Sequence, residues 1–388
     1  MKESTQAGAP GTKDYRRILL SWKKGFALIS IGFVLACIFL EIFLRIDFYR
    51  QERKAREEAR VTTPKGEYWP IYDPDLGYRL NPKFGDHNPD GLRDHPVTPK
   101  ENRFRILFLG DSLLYYGDDL DDTVAGHFRS EVHKDPAFRR IDVINAGIKG
   151  YTNYQELLYL KKYGLKFEPD LVGIEFCLND LHKFLHSFNI ENGRIVPGSY
   201  RFSTEALNPG TKSWMRRFTD KSFLIVWLEN KIDMARRRVL KSRGTYFSFE
   251  TAVDIGRAWQ DEPWKEIQHQ LEEFVVLQKQ HQFRLFVVNF PVSSQYKPNY
   301  LRQDRDYVLK PQRKLKEICD RLGIPFYDLY PDMNAALFSQ DGIHLTKSGR
   351  EIAGRLIVKF LTRSQLFQGK AFESSVALNA ESSGIASN

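Results

Sequence analysis

Ser112, His344 and Asp341 are residues whose types and settings fit covalent chemistry. Ser112 closes the stretch Arg105-Ile-Leu-Phe-Leu-Gly-Asp-Ser112, in which the apolar run 106–109 predicts a buried strand and Gly110-Asp111 predict a sharp turn at its carboxyl end. Open α/β sheets place their reacting groups at that edge. A serine hydroxyl is a weak nucleophile at neutral pH, so it needs a base and donors for a developing oxyanion. Asp341-Gly-Ile-His344 supplies the base. An Asp and a His three residues apart can share one turn, the carboxylate holding the imidazole in the tautomer that takes the serine proton. Each residue also has an ordinary reading, since Gly-Asp-Ser turns cap helices and Asp341-Gly342 precedes a helix that Thr346 could cap.

Two loops follow the next two predicted strands, Asn145-Ala-Gly-Ile-Lys-Gly150 and Cys177-Leu-Asn179-Asp180. In a parallel sheet both open on the same edge as Ser112. A glycine N–H and the Asn179 amide can therefore join the Ser112 N–H in binding an oxyanion.

The elements that must position these residues alternate along the chain. Strands are expected at 106–109, 141–144, 171–176, 284–289 and 325–327, and helices at 122–133, 153–163, 311–322 and 347–361. Such alternation predicts a parallel sheet covered on both faces. Residues 67–103 read as an irregular lead-in packed over the sheet. The rhythm breaks across 181–261, read as a lid-like or merely covering helical insertion with an amphipathic helix at 222–240. His182 and His186 lie four residues apart, but no third ligand with metal-site spacing stands out, so they read as solvated or pocket-lining.

Gly110-Asp-Ser-Leu113, 145–150, Asn179-Asp180 and 341–344 together resemble, in order, the four blocks of the GDSL, or SGNH, hydrolase family. The resemblance spans about 104–361, and its third block departs by carrying Cys177 where glycine is usual. It implies a flavodoxin-like three-layer α/β/α fold on a five-stranded parallel sheet. It also implies Ser112 as nucleophile, His344 as base, Asp341 as its orienting acid, and the Ser112 N–H, Gly150 and Asn179 as oxyanion donors. Gly150 is chosen over Gly147 as the last glycine of its block. No cofactor and no metal are expected.

The net charge of +9 comes from positive residues scattered among many carboxylates. No zinc-finger, RNA-binding or helix-turn-helix pattern accompanies it, which argues against nucleic acid and favours an anionic envelope surface. The stretch 25–45 is apolar apart from Glu41 and Arg45, long enough to cross a bilayer, and is read as an uncleaved signal anchor. Lys and Arg flank both ends, so charge does not orient it. By composition the transmembrane helix (25–45) follows an amino-terminal tail (1–24) and precedes a charged stalk (46–66), a hydrolase domain (67–363) and a disordered tail (364–388). Resemblance to envelope members of the family implies that 1–24 is cytoplasmic and the hydrolase domain extracytoplasmic. Cys177 and Cys319 read as buried free thiols. The expected function is a membrane-anchored serine esterase acting on an acylated small molecule, glycan or lipid, acetyl esters included. O-acyl transfer to a sugar hydroxyl and an inactive glycan-binding module are the alternatives. Oligomeric state is not legible.

Overall fold

The apolar run beside Ser112 becomes β3 (Phe104–Gly110), an interior strand of a sheet built from strands rich in Val, Ile, Leu and Phe. In the computed structural model the described residues are 12–62, 68–188, 190–195, 201–202, 222–225, 227–228, 231–232, 235, 249, 252 and 254–367. The sheet combines β3 with β4 (Ile141–Gly147), β5 (Leu171–Phe176), β10 (Arg284–Asn289) and β11 (Phe326–Asp328) in the order β11-β10-β5-β3-β4. Every pairing is parallel. That is a doubly wound order with its switch point between β3 and β5, the crevice where open α/β sheets take their ligands.

β3 is buried at every position because both sheet faces are covered. Leu107 and Leu109 face one core, which also takes residues of α4 (Asn153–Tyr159), α5 (Pro263–His281) and α7 (Lys310–Leu322). Phe104, Ile106 and Phe108 face the other, under α3 (Val124–Val132) and α8 (Lys347–Arg363). α3 and α8 lie close because Gly354 has no side chain: a Cβ there would come within 2.7 Å of the Phe128 nitrogen. Thr123 and Thr346 cap these two helices through the Gly126 and Gly349 N–H groups. Two polar ties close the frame. Arg105 bridges Asp142 at 2.7 Å and donates to the Thr98 and Phe167 carbonyls. Arg350, on α8, pairs with Asp122 and donates to the Asp122 and Leu345 carbonyls.

Several expectations shift. The lead-in carries a hairpin, β1 (Pro70–Asp73) and β2 (Gly77–Leu80), whose turn forms because Asp73 accepts the Asp75 and Leu76 N–H groups and Gly77 takes φ +77. Leu76, Tyr78 and Leu80 pack into the core. The helix expected over 153–163 turns into a π-turn from Leu160 to Gly164. α5, which the sequence reading passed over, packs Trp264, Ile267, Leu271 and Phe274 inward at i, i+3, i+4 spacing. A short helix, α6 (Pro298–Val308), precedes α7. The chain stays folded beyond 363: Leu366 and Phe367 are buried in the core, and the rest of the expected tail lies outside the described residues.

The stretch 181–261 divides. It begins with two short ribbons, β6 (His186–Ser187) with β9 (Arg201–Phe202) and β7 (Ile190–Glu191) with β8 (Arg194–Ile195), where helix had been expected. At its end Phe249 stacks on the buried Trp259, ring centroids 4.3 Å apart, inside the sheet's core. Residues 211–235 instead cluster with 1–54 as a compact unit separate from 55–210 and 236–388. That smaller unit contains most of α1 (Thr12–Thr62), whose segment Trp22–Asp47 is long and apolar enough to cross a membrane. The stalk expected as far as 66 is helical through Thr62, and 63–67 lie outside the described residues. Of the helix expected at 222–240, residues 223–225, 227–228, 231–232 and 235 are helical and most of the rest are not described. Glu41 accepts from Arg45 at 2.7 Å, from the Ser222 hydroxyl at 2.9 Å, and from the Phe223 and Leu224 N–H groups at 3.1 and 2.8 Å. Glu41 is thereby hydrogen-bonded by four donors within this smaller unit.

Arg350 is nearly buried and Asp122 more so, with side chains 10% and 4% exposed. Arg350→Met removes the guanidinium from a buried carboxylate that keeps His127 and the Asp118 N–H, and we expect stability to fall by up to about 3 kcal/mol, read as a lower urea midpoint at unchanged slope.

Candidate active site

β3 ends at Gly110 because nothing larger fits: a Cβ there would stand 2.6 Å from Glu175 Oε2 and 2.7 Å from Leu114 Cδ1. The chain then turns into α2 (Ser112–Tyr115). Asp111, not Ser112, caps this helix, its Oδ1 accepting the Leu113 N–H at 2.8 Å. The Ser112 hydroxyl is left available for another partner.

That partner is His344, whose Nε2 lies 2.8 Å from Ser112 Oγ while its Nδ1 lies 2.6 Å from Asp341 Oδ2. With Nδ1–H donating to the carboxylate, Nε2 carries the lone pair that accepts the serine proton. The loop is rigidly tied. Asp341 Oδ1 accepts the Ile343 and His344 N–H groups, and the His344 carbonyl accepts from the Ser339 N–H and hydroxyl. The Gly342 carbonyl accepts the Ser293 N–H, with Gly342 at φ +75. Burial pushes the Asp341 carboxyl up, but the bonds from the His344 ring and the two N–H groups outweigh it and hold the pKa near about 2. Asp341 is therefore an anion at neutral pH, able to stabilise an imidazolium.

The other expected residues reach the same edge. Gly150 follows β4 at φ +70, in the left-handed region, and a Cβ there would collide with the His186 ring at 1.7 Å. Gly147 donates its N–H to Asn145 Oδ1 at 3.0 Å and packs against Leu114, whereas the Gly150 N–H has no hydrogen-bond acceptor among the described residues. Asn179 follows β5, and its side-chain nitrogen donates to Asp111 Oδ2 at 2.6 Å. One amide hydrogen is thus spent on holding the side chain, and the second is left to donate.

Residues 108–352 match the profile of the GDSL-like Lipase/Acylhydrolase family. The chain belongs to that family. No curated protein matches it. Among solved structures it is similar to a lipase/acylhydrolase from Enterococcus faecalis, at 16% identity and TM-score 0.38 over 67% of this chain and 96% of the other. A putative acylhydrolase from Bacteroides fragilis aligns at 18% identity and TM-score 0.35 over 69% and 91%. A mutant of an acetyl-xylooligosaccharide esterase from Geobacillus Stearmophilus aligns at 15% identity and TM-score 0.39 over 66% and 93%.

Around this GDSL-type site stand residues that the sequence reading did not reach. Tyr116 packs edge-on against the His344 ring, centroids 4.8 Å apart. Lys149, immediately before Gly150, lies over the Trp69, Tyr115 and Tyr116 rings. Below Ser112, Glu175 Oε2 accepts the Asp111 N–H at 3.0 Å, and Glu156, Glu175 and Asp180 are all buried. The sequence signal for Glu175 is that it is a lone acid in a continuous apolar strand. Burial raises the pKa of all three well above the ordinary range, and Asp111 and the neighbouring acids add to it. His182 Nε2 faces the Asp254 carbonyl at 3.0 Å, and no group of three ligands suited to a metal occurs among the described residues. Cys177 and Cys319 are buried free thiols, and Cys177 packs in the core.

An acid whose pKa is raised in the fold contributes stability below its unfolded pKa and loses it as pH rises toward the folded value. Glu156 has neither carboxyl oxygen hydrogen-bonded among the described residues. We expect wild type to lose stability as pH rises above the ordinary glutamate range of about 4.3, and Glu156→Gln to flatten that loss, measured as urea midpoints across a pH series.

Proposed function

We propose that this protein is a serine esterase, held in a membrane by the Trp22–Asp47 segment with its hydrolase unit on the extracytoplasmic side, that removes acyl groups, acetyl included, from an envelope glycan or lipid. The observation that carries the reading is the unbroken chain from Ser112 Oγ through the His344 ring to Asp341. Ser112 attacks the ester carbonyl while His344 Nε2 takes its proton. The oxyanion is met by the Ser112 and Gly150 N–H groups and the free amide hydrogen of Asn179. Collapse breaks the ester C–O bond as His344 returns the proton to the departing alkoxide, leaving an acyl-serine. Water, deprotonated by His344, then attacks that acyl group and releases the acid with Ser112 restored.

The membrane reading is supported by the length and apolar composition of the Trp22–Asp47 helix and by the exposure of Phe26, Ile29, Phe33 and Phe39 along it. The choice of an envelope substrate follows from that anchor.

A fluorophosphonate probe should label the wild-type protein covalently and fail to label Ser112→Ala or His344→Ala. Absence of labelling in folded wild type would remove the esterase reading. With a 4-nitrophenyl acetate assay, Asn179→Ala should lower kcat on the order of 10²–10³-fold. Asp341→Asn, which leaves the imidazole in the wrong tautomer, should lower it on the order of 10⁴-fold.

A further inference from the structure

Lys149 has an unusual setting for a surface-loop lysine. Its Nζ stands 4.9 Å from the Trp69 ring centroid, 4.5 Å from that of Tyr115 and 5.5 Å from that of Tyr116. Its backbone is fixed by the Tyr78 hydroxyl, which donates to the Lys149 carbonyl at 2.7 Å. No carboxylate pairs with the ammonium among the described residues. The neighbouring acid, Asp86, is engaged by Arg93 at 2.9 Å. Burial and the Arg93 charge together bring the Lys149 pKa down to about 8, so the group is still mostly charged at neutral pH while poorly solvated.

A desolvated cation held only by ring faces lacks the counter-charge it would gain most from. Its place in the fold makes that gap useful. Lys149 directly precedes the oxyanion glycine, and Tyr116, which it overlies, packs on the ring of His344. Tyr116 is also 42% exposed, leaving ring surface on which a sugar can lie.

We propose that Lys149, with Tyr116 beside it, forms an anion-binding subsite at the Ser112–His344 pair that takes a carboxylate or phosphate carried by the acylated glycan. The inference rests on the esterase reading for its substrate but not for its test. The anionic group meets the ammonium, the sugar ring lies on Tyr116, and the ester carbonyl is delivered to Ser112 and the Gly150 N–H. Neutral glycan esters miss the charged contact and bind less well.

The test is calorimetric titration of the full chain in detergent, in the Ser112→Ala background so that no ester is turned over. The probes are O-acetylated methyl glucuronoside, O-acetylated glucose 1-phosphate and O-acetylated methyl glucoside. At least one anionic sugar should bind about tenfold or more tightly than the neutral one, and the tighter of the two identifies carboxylate or phosphate as the recognised group. Lys149→Gln should erase the difference and Lys149→Arg should keep most of it. Equal affinity for all three sugars, no binding of any, or a preference that survives Lys149→Gln in a protein whose melting temperature is unchanged would overturn the proposal. If Lys149→Gln does not fold, a Lys149→Arg protein that has lost the preference would overturn it as well. Fluorophosphonate labelling of wild type, which needs no sugar, separates failure of this subsite from failure of the esterase reading.

Discussion

Asp111 holds three elements of the site at once. Its N–H donates to Glu175 on β5, one carboxylate oxygen accepts the Leu113 N–H that begins α2, and the other accepts the Asn179 amide from the loop after β5. The serine between β3 and α2 is therefore fixed relative to the neighbouring strand by hydrogen bonds rather than by packing alone. Loss of the cap would free the Ser112 hydroxyl to bond its own helix start, and loss of the Asp111 contact would let the Asn179 amide rotate away from its present position. Gly110 belongs to the same constraint. The carboxyl of Glu175 fills the space a Cβ would need, so the sharp turn and the buried acid beneath it require each other.

Much of this was legible because it is written in short-range chemistry. Ser112, Gly150, Asn179, Asp341 and His344 announce themselves by residue type, by turn-forming neighbours and by lying after apolar runs. β3, β5 and β10 were found because both faces are buried, which makes each a nearly continuous apolar stretch. The ends of elements were harder. Asn145, Ala146 and Gly147 extend β4 by pairing with β3, a tertiary preference that the local composition does not carry. α5 was missed because its start, Glu262-Pro263-Trp264, sits beside a stretch without rhythm and its buried face is interrupted by Gln268 and Gln270. The contents of 181–261 were least legible. Residues of that span go to different places, the Phe249 and Trp259 pair to the sheet's core and 211–235 to the unit of α1, so no single periodicity runs through it.

Glu175, Tyr116 and Lys149 were missed for a different reason. None has a motif, and their importance comes from neighbours contributed by distant segments: Trp69 from the lead-in, Tyr115 and Tyr116 from the turn after Ser112, Asp111 from β3's end. Only the assembled sheet edge puts these groups together.

The same edge sorts its carboxyls by environment. Asp341 is half-exposed and ringed by N–H donors, so it stays charged where a positive imidazolium must form. Glu156, Glu175 and Asp180 are buried close together, so they favour the protonated state. The difference matters for the reaction proposed at Ser112. An ionised Glu175 directly beneath the nucleophile would oppose the negative charge that grows on the oxyanion, whereas a neutral acid contributes only a hydrogen bond to the Asp111 N–H. Lys149, next to Gly150 and over the Tyr116 ring, carries the positive charge that the proposed anionic substrate group would meet. The electrostatic gradient across the site thus follows from burial on the core side and partial solvation at the mouth, both set by the ends of β3, β4 and β5 lying side by side.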